Sequence, residues 1–357
     1  MKPTVLVTSA GGKTGQHVVP RLIKKGHFVR AFVRRNDARA DRFRKMGADV
    51  IVGNQYAMSD MRKAMDGIQY AYHCAPTAAN GLHFGAVFAA AAAEQKLEHV
   101  VVLGQWLADE KHPSIFTREA WLNERLIELL PCSHTMVNVG WFADNYLMVL
   151  EPAVQLGILP MPLGPGHEKK DVPPSLEDLA DFCVEALVNP EDHSGKWYRP
   201  TGPNLVSPDD VAEAIGRAAQ RTVKYDNISE AMFLKALKAL QPPMYSEAML
   251  TQLNIYVEEY RRGAFAIGGA TNHIETVLNR RAEDMDTIAA REVALRPEAN
   301  RTFANKMRAL QNFGKILVTR KPDTARIAQK LAHFDVPDMR FVPENPVWKK
   351  RRALAVT

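Results

Sequence analysis

Ser9, Gly12 and Gly15 stand three residues apart, directly after the apolar run Val5-Leu6-Val7, with Gly11, Lys13 and Thr14 between them. A turn of this composition at the opening of a helix offers main-chain N–H groups and the positive end of the helix dipole to an anion. Gly12 lets a phosphate approach the backbone, and Gly15 lets the helix pack closely on the strand before it. Ser9 takes the place of the usual first glycine, so the spacing is S-x-x-G-x-x-G. Arg34 and Arg35 end the next alternating segment. An acidic residue there would accept a ribose 2′-hydroxyl, whereas a guanidinium fork suits a 2′-phosphate. No Asp or Glu lies between Lys24 and Asn36. The pattern predicts a dinucleotide site that takes NADP(H) in preference to NAD(H).

Other residues could do chemistry nearby. His73 ends a predicted strand beside Cys74-Ala75-Pro76, and an imidazole there is a candidate acid–base group, as is His83. Gln105 is a candidate hydrogen-bond donor or acceptor for a substrate carbonyl. Trp106, Trp141 and Phe142 are candidates for an aromatic wall around a planar substrate. Tyr245, Tyr256 and Tyr260 sit at roughly helical spacing and read as a core stripe. No spacing suggests a metal site.

These residues need a scaffold. The first half alternates strand and helix. Strands are predicted at Thr4–Val7, Phe28–Val33, Asp49–Val52, Tyr70–Cys74, Val100–Leu103 and Thr135–Val139. Helices are predicted between them at Thr14–Lys25, Asp37–Met46, Asp60–Met65, Gly81–Gln95 and Arg118–Leu130. Such alternation implies an α/β fold, a Rossmann-like doubly wound parallel sheet whose ligands lie at the carboxyl ends of the strands. Ala75 and Pro76 fall at one of those ends. Proline and glycine then punctuate Pro152–Pro174, and the regular units stop. Helices at Leu176–Val188, Pro208–Ala219, Glu230–Leu240 and Met244–Arg262, with short strands at Gly195–Tyr198 and Val223–Asn227, suggest a smaller, mostly helical C-terminal lobe. The expected division is a dinucleotide-binding domain over 1–150, a substrate lobe over 151–296 and a basic extension over 297–357. The extension holds predicted helices at Thr302–Phe313 and Asp323–Phe334 and a predicted strand at Lys315–Val318.

The chain has 357 residues and a net charge of +6. From Arg296 onward the charge is +9, so the remainder carries −3. Lys349-Lys350-Arg351-Arg352 reads as a solvated tail. Phe341 and Trp348 are not spaced as a base-stacking platform, so nucleic acid is not an expected partner. No run is long and apolar enough to span a bilayer, so no membrane partner is expected either. Three dispersed cysteines, Cys74, Cys132 and Cys183, suggest free thiols and a cytoplasmic location. A homo-oligomer remains open.

Val5 to Gly15, Gly47 to Asn54, Val137 to Asn145, Gly195 to Gly202 and Phe233 to Leu237 together resemble the NmrA-like family of atypical short-chain dehydrogenases, which includes isoflavone-reductase-like and quinone-reductase-like enzymes and redox-sensing regulators. The resemblance fades near Arg291. It implies a Tyr-x-x-x-Lys pair on the helix after the fifth strand, with a serine at that strand's end. Here Gly104-Gln105 replaces the serine, Phe116 lies where the tyrosine would be, and Ala120 where relatives keep a lysine. A shift of register by two puts Arg118 at the lysine position, as a candidate to hold a ribose though too basic for proton transfer. Asn54 stands where an aspartate accepts the adenine amine, and Asn138 where relatives carry arginine. The resemblance implies an NADP(H)-dependent reductase of a conjugated or aromatic carbonyl or quinone-type small molecule. A non-catalytic NADP(H) sensor is the alternative, and a lyase, isomerase or oxygenase on the same fold a third.

Overall fold

A computed structural model describes residues 2–78, 80–240, 247–331 and 336–353. Among the described residues, nine strands run β1 Thr4–Val7, β2 Phe28–Val33, β3 Asp49–Val52, β4 Tyr70–His73, β5 His99–Gln105, β6 Ser133–Val139, β7 Ile158–Met161, β8 Trp197–Tyr198 and β9 Lys224–Asn227. Helices of the first half are α1 Gly15–Lys24, α2 Ala38–Lys45, α3 Met58–Met65, α4 Gly81–Glu94, α5 Ile115–Glu128, α6 Ala143–Tyr146 and α7 Leu150–Leu156. They are followed by α8 Leu176–Val188, α9 Pro190–His193, α10 Pro208–Ala218, α11 Glu230–Leu240, α12 Glu247–Arg261, α13 His273–Leu278 and α14 Met285–Leu295. The extension carries α15 Phe303–Val318, α16 Thr324–Leu331 and α17 Pro346–Ala353.

Seven strands form a parallel sheet in the order β3-β2-β1-β4-β5-β6-β8. The order reverses between β1 and β4, and the crevice at that switch point is where ligands bind in such sheets. Val18, Val19 and Leu22 of α1, Phe43 of α2 and Leu179, Phe182 and Leu187 of α8 are buried on one face. Met61 and Met65 of α3, Phe84 and Phe88 of α4 and Ile127 of α5 are buried on the other. A third core, with Trp141, Tyr146, Ile215, Phe233, Tyr260 and Phe265, lies in the helical lobe.

Several elements depart from expectation. β5 runs two residues past Leu103, pairing Gly104 with Asn138 and Gln105 with Val139, so Gln105 ends the strand instead of following it. α5 begins at Ile115, three residues early, behind the stop at Pro113. The supposed irregular stretch after Pro152 holds most of α7 and β7, and β7 pairs with β9 in a separate two-stranded sheet. Lys315–Val318 is not a strand but the end of α15, which Thr302 caps by accepting the Asn305 N–H (3.2 Å). Tyr245 lies outside the described residues. Residues 176–198 return to the sheet as α8, α9 and β8, so the lobe and the sheet interleave along the chain beyond residue 150.

Candidate functional site

The turn after β1 is stitched to the end of β4 across the switch point. The Thr8 N–H donates to the Tyr72 carbonyl (3.0 Å), and the Ser9 hydroxyl donates to the Cys74 carbonyl (2.9 Å). Ser9 has φ +49°, a left-handed conformation that favours glycine, and its side-chain bond helps hold it there. A Cβ on Gly15 would lie 2.5 Å from the Ser9 carbonyl oxygen and 2.9 Å from Ala10 Cα, and one on Gly12 would lie 3.0 Å from the same oxygen. Gly15 is therefore required by close packing of α1 on the turn. The N–H groups of Lys13, Thr14 and Gly15 meet no main-chain acceptor among the described residues. The Thr14 hydroxyl is turned inward, accepting from Tyr72 (2.8 Å). A helix start left open this way fits a bound pyrophosphate.

Arg34 and Arg35 lie exposed just past β2 with no partner among the described residues. Asp37, the nearest carboxylate along the chain, is already used. It caps α2 through the Arg39 and Ala40 N–H groups and pairs with the Arg39 guanidinium, which holds it at about 2. Arg39 also donates to the Gly11 carbonyl (2.9 Å), bringing a guanidinium against the turn. Asn54 accepts the Tyr56 N–H (3.1 Å) and gives its own N–H to Asp60 (2.8 Å), so a carboxylate does stand at the end of β3. Lys13 pairs with Asp144 of α6, and Asp144 with Arg296 (2.7 Å). Burial would raise the Asp144 carboxyl, but the two cations outweigh it and hold it below its usual range. This chain of ions ties the turn to the lobe.

Gln105 is the half-buried last residue of β5, the strand next to β4. The Tyr256 hydroxyl donates to its Oε1 (2.5 Å), which fixes the amide and leaves Nε2 as the available donor. Tyr256 thus reaches the end of β5 and is not only part of a core stripe. The spacing alone carried no signal of its reach to β5.

Two catalytic candidates are corrected. His73 is wholly buried and stacks on Phe88 (4.0 Å between centroids) and Phe84 (5.1 Å). Burial pushes its pKa down to about 3, so it is neutral and faces the α4 layer. Arg118 donates to the His112 carbonyl (2.7 Å) and contacts Met339, holding a loop and the extension instead of a ribose. Burial likewise raises the Cys74 thiol pKa, the opposite of what a nucleophilic cysteine needs. His83 lies exposed against the Tyr56 carbonyl (3.0 Å).

The aromatic wall is corrected as well. Trp106 is packed shut, with Arg199 over its ring (4.0 Å) and Trp348 of α17 against its edge (5.1 Å). Trp141 is enclosed by Tyr146, Tyr260 and Phe265. Phe142 alone of the three is half-buried. At Trp106 the extension completes the closure through Trp348 and Arg352. Arg352, 2 % exposed, donates to the Gln105 carbonyl (3.2 Å) and lies 3.7 Å from Glu124. Asn138 donates to the same carboxylate (2.5 Å), so Arg352 brings a cation to a place where the resemblance marks one as missing. Asn345 and Arg351 bind Asp109 (3.0 Å each), and the Val342 N–H donates to the buried Glu259 (3.1 Å). The basic run is therefore half structural: Lys349 and Lys350 are exposed, but Arg352 is core.

Glu119, one residue before Ala120, was not anticipated. It sits against Gly81 at the start of α4, where a Cβ would lie 3.5 Å from Glu119 Oε2 and 2.7 Å from the Pro76 carbonyl. Burial raises its pKa to about 7, against the opposing Leu82 N–H and Arg118 charge. Half-burial beside the β4 end is the signal, and it exists only in three dimensions.

A model of the NmrA-like family matches residues 1–288. The chain belongs to the NmrA-like family. It is 26 % identical over 246 residues to an NAD(P)H azoreductase of Xenophilus azovorans, covering 69 % of this chain and 84 % of that one. Among solved structures it is similar to the NADPH-dependent quinone oxidoreductase QOR2 of Escherichia coli complexed with NADPH (TM-score 0.67, 19 % identity, 80 % of this chain and 99 % of that one). It is also similar to NmrA, a negative transcriptional regulator, in complex with NADP (TM-score 0.64, 16 % identity, 85 % and 98 %). These likenesses establish a fold shared by reductases and a regulator.

Proposed function

We propose that this NmrA-like chain is an NADP(H)-dependent reductase of a conjugated or aromatic carbonyl compound of the quinone type. The observations that carry the reading are an open helix start at the turn after β1 and two exposed, unpaired arginines just past β2, the strand beside it. The relatives' names, azoreductase and NADPH-dependent quinone oxidoreductase, support it. When bound, the dinucleotide supplies the hydride. The N–H groups of Lys13, Thr14 and Gly15 hold the pyrophosphate, and Arg34 and Arg35 hold the 2′-phosphate. Asn54, helped by Asp60, faces the adenine; Ala75 and Pro76 border the nicotinamide ribose. Gln105, fixed by Tyr256, orients the substrate carbonyl through Nε2, beside Phe142. Phe116 donates no proton, so the acid has to come from elsewhere. Glu119 is the carboxyl beside the β4 end that still holds a proton near neutral pH.

The second reading is a sensor without turnover. It is favoured by Phe116 and Ala120 in place of the usual pair and by the closed packing of Trp106 and Trp141. Incubation of the full chain with NADPH and a panel of quinones and enones, followed by nicotinamide absorbance, separates the two. The reductase reading expects protein-dependent oxidation with at least one quinone. Saturable NADPH binding with no oxidation across the panel would establish the sensor.

A further inference from the structure

α15 lies beyond the family match, which ends at residue 288. One face of this helix is anchored: Ala309 is buried, and Asn312 donates to Glu151 of α7 (2.7 Å). The opposite face carries Phe303, Met307, Leu310 and Leu317, spaced 4, 3 and 7 residues apart, with Phe313 at its margin. Phe303 is 81 % exposed, Leu310 44 % and Leu317 50 %. Gly314 lies in the same stripe with open space beside it. Contiguous exposed apolar side chains in one stripe mark an interaction surface, not scatter.

Charge says what covers it. Residues 299–322 hold six cations and no carboxylate. Arg308 is engaged by Glu151 (2.6 Å), but Lys306, Lys315, Arg320 and Lys321 meet no carboxylate among the described residues. Two copies of this helix face to face would set cation against cation with no acid to relieve them. An anionic bilayer surface satisfies both features, taking the apolar stripe at the acyl boundary and the lysines among the headgroups. We propose that α15 is an interfacial anchor that docks the protein on anionic lipid. A helix lying in the interface needs no spanning length, so the absence of a membrane-crossing helix among the described residues does not bear on it.

The test is co-sedimentation of the full chain with vesicles of phosphatidylcholine alone and of equal parts phosphatidylcholine and phosphatidylglycerol. The chain should pellet with the anionic vesicles, weakly with the neutral ones, and less as salt rises. Leu310→Ser with Leu317→Ser, and separately Lys306→Glu with Lys315→Glu, should each weaken anionic-vesicle binding about ten-fold or more. Thermal midpoint and NADPH titration should stay unchanged, since none of the four residues belongs to the crevice. Failure to pellet with anionic vesicles overturns the proposal. So does a lipid-free dimer that the leucine variants convert to monomer, which would make the stripe a contact between copies.

Discussion

Glu119 and His73 show burial driving two titratable groups in opposite directions along one helix layer. His73 loses its proton because nothing beside it stabilises a cation; both ring nitrogens lack partners among the described residues. Glu119 keeps its proton because desolvation outweighs the Leu82 N–H and Arg118. If Glu119 supplies the proton, turnover falls as pH rises through about 7, and Glu119→Gln abolishes that limb and lowers kcat by about 100-fold or more, with little change in NADPH affinity. The stability consequence has a definite sign. A carboxyl whose folded pKa is raised contributes stability that is present at low pH and lost as pH rises through about 7. The wild-type thermal midpoint should therefore drop more steeply than that of Glu119→Gln between acidic and neutral pH. Parallel midpoints and a kcat profile unmoved by the substitution would remove Glu119 from the mechanism. At this scale the glycine turn was legible because each glycine answers a local steric demand. His73 was not, because its environment is set by Phe84 and Phe88 from another element.

Among elements, the informative contrast lies between α1 and α17. α1 announces itself through a local pattern: a glycine turn, then Val18, Val19 and Leu22 on one face. α17 is short, basic and preceded by prolines, and its partners are more than 200 residues away in sequence. Its start is nonetheless ordered, since Asn345 accepts the Val347 and Trp348 N–H groups (3.1 Å each). Trp348 and Arg352, one helical turn apart, then face inward together. Burial lowers Arg352 to about 10, so it stays charged opposite Glu124. Arg352→Ala should cost about 3–5 kcal/mol, because it leaves a buried carboxylate uncompensated. Adding Glu124→Gln should recover part of that loss. Urea unfolding of the two variants checks it; a cost below about 1 kcal/mol for the single variant would mean that the pair is not load-sharing with the fold. The strand expected at Lys315–Val318 failed for a related reason: a short apolar run such as Ile316-Leu317-Val318 looks alike in a strand and at the end of a long helix.

Taken whole, the molecule is an NmrA-like α/β sheet with a lobe and an extension bound to it by side chains from distant parts of the chain. The charge asymmetry visible in the sequence divides in three dimensions into two uses. Arg351 and Arg352 are consumed in packing the extension across the β5–α5 loop. The lysines of α15 remain on the surface. The most direct check on the account is calorimetric titration of the full chain and of Arg34→Asp with NADPH and with NADH. The account predicts saturable binding of NADPH about ten-fold or more tighter than NADH in the wild type, with that preference lost in the variant. Equal affinities left unmoved by the substitution, or no binding of either dinucleotide, would contradict it.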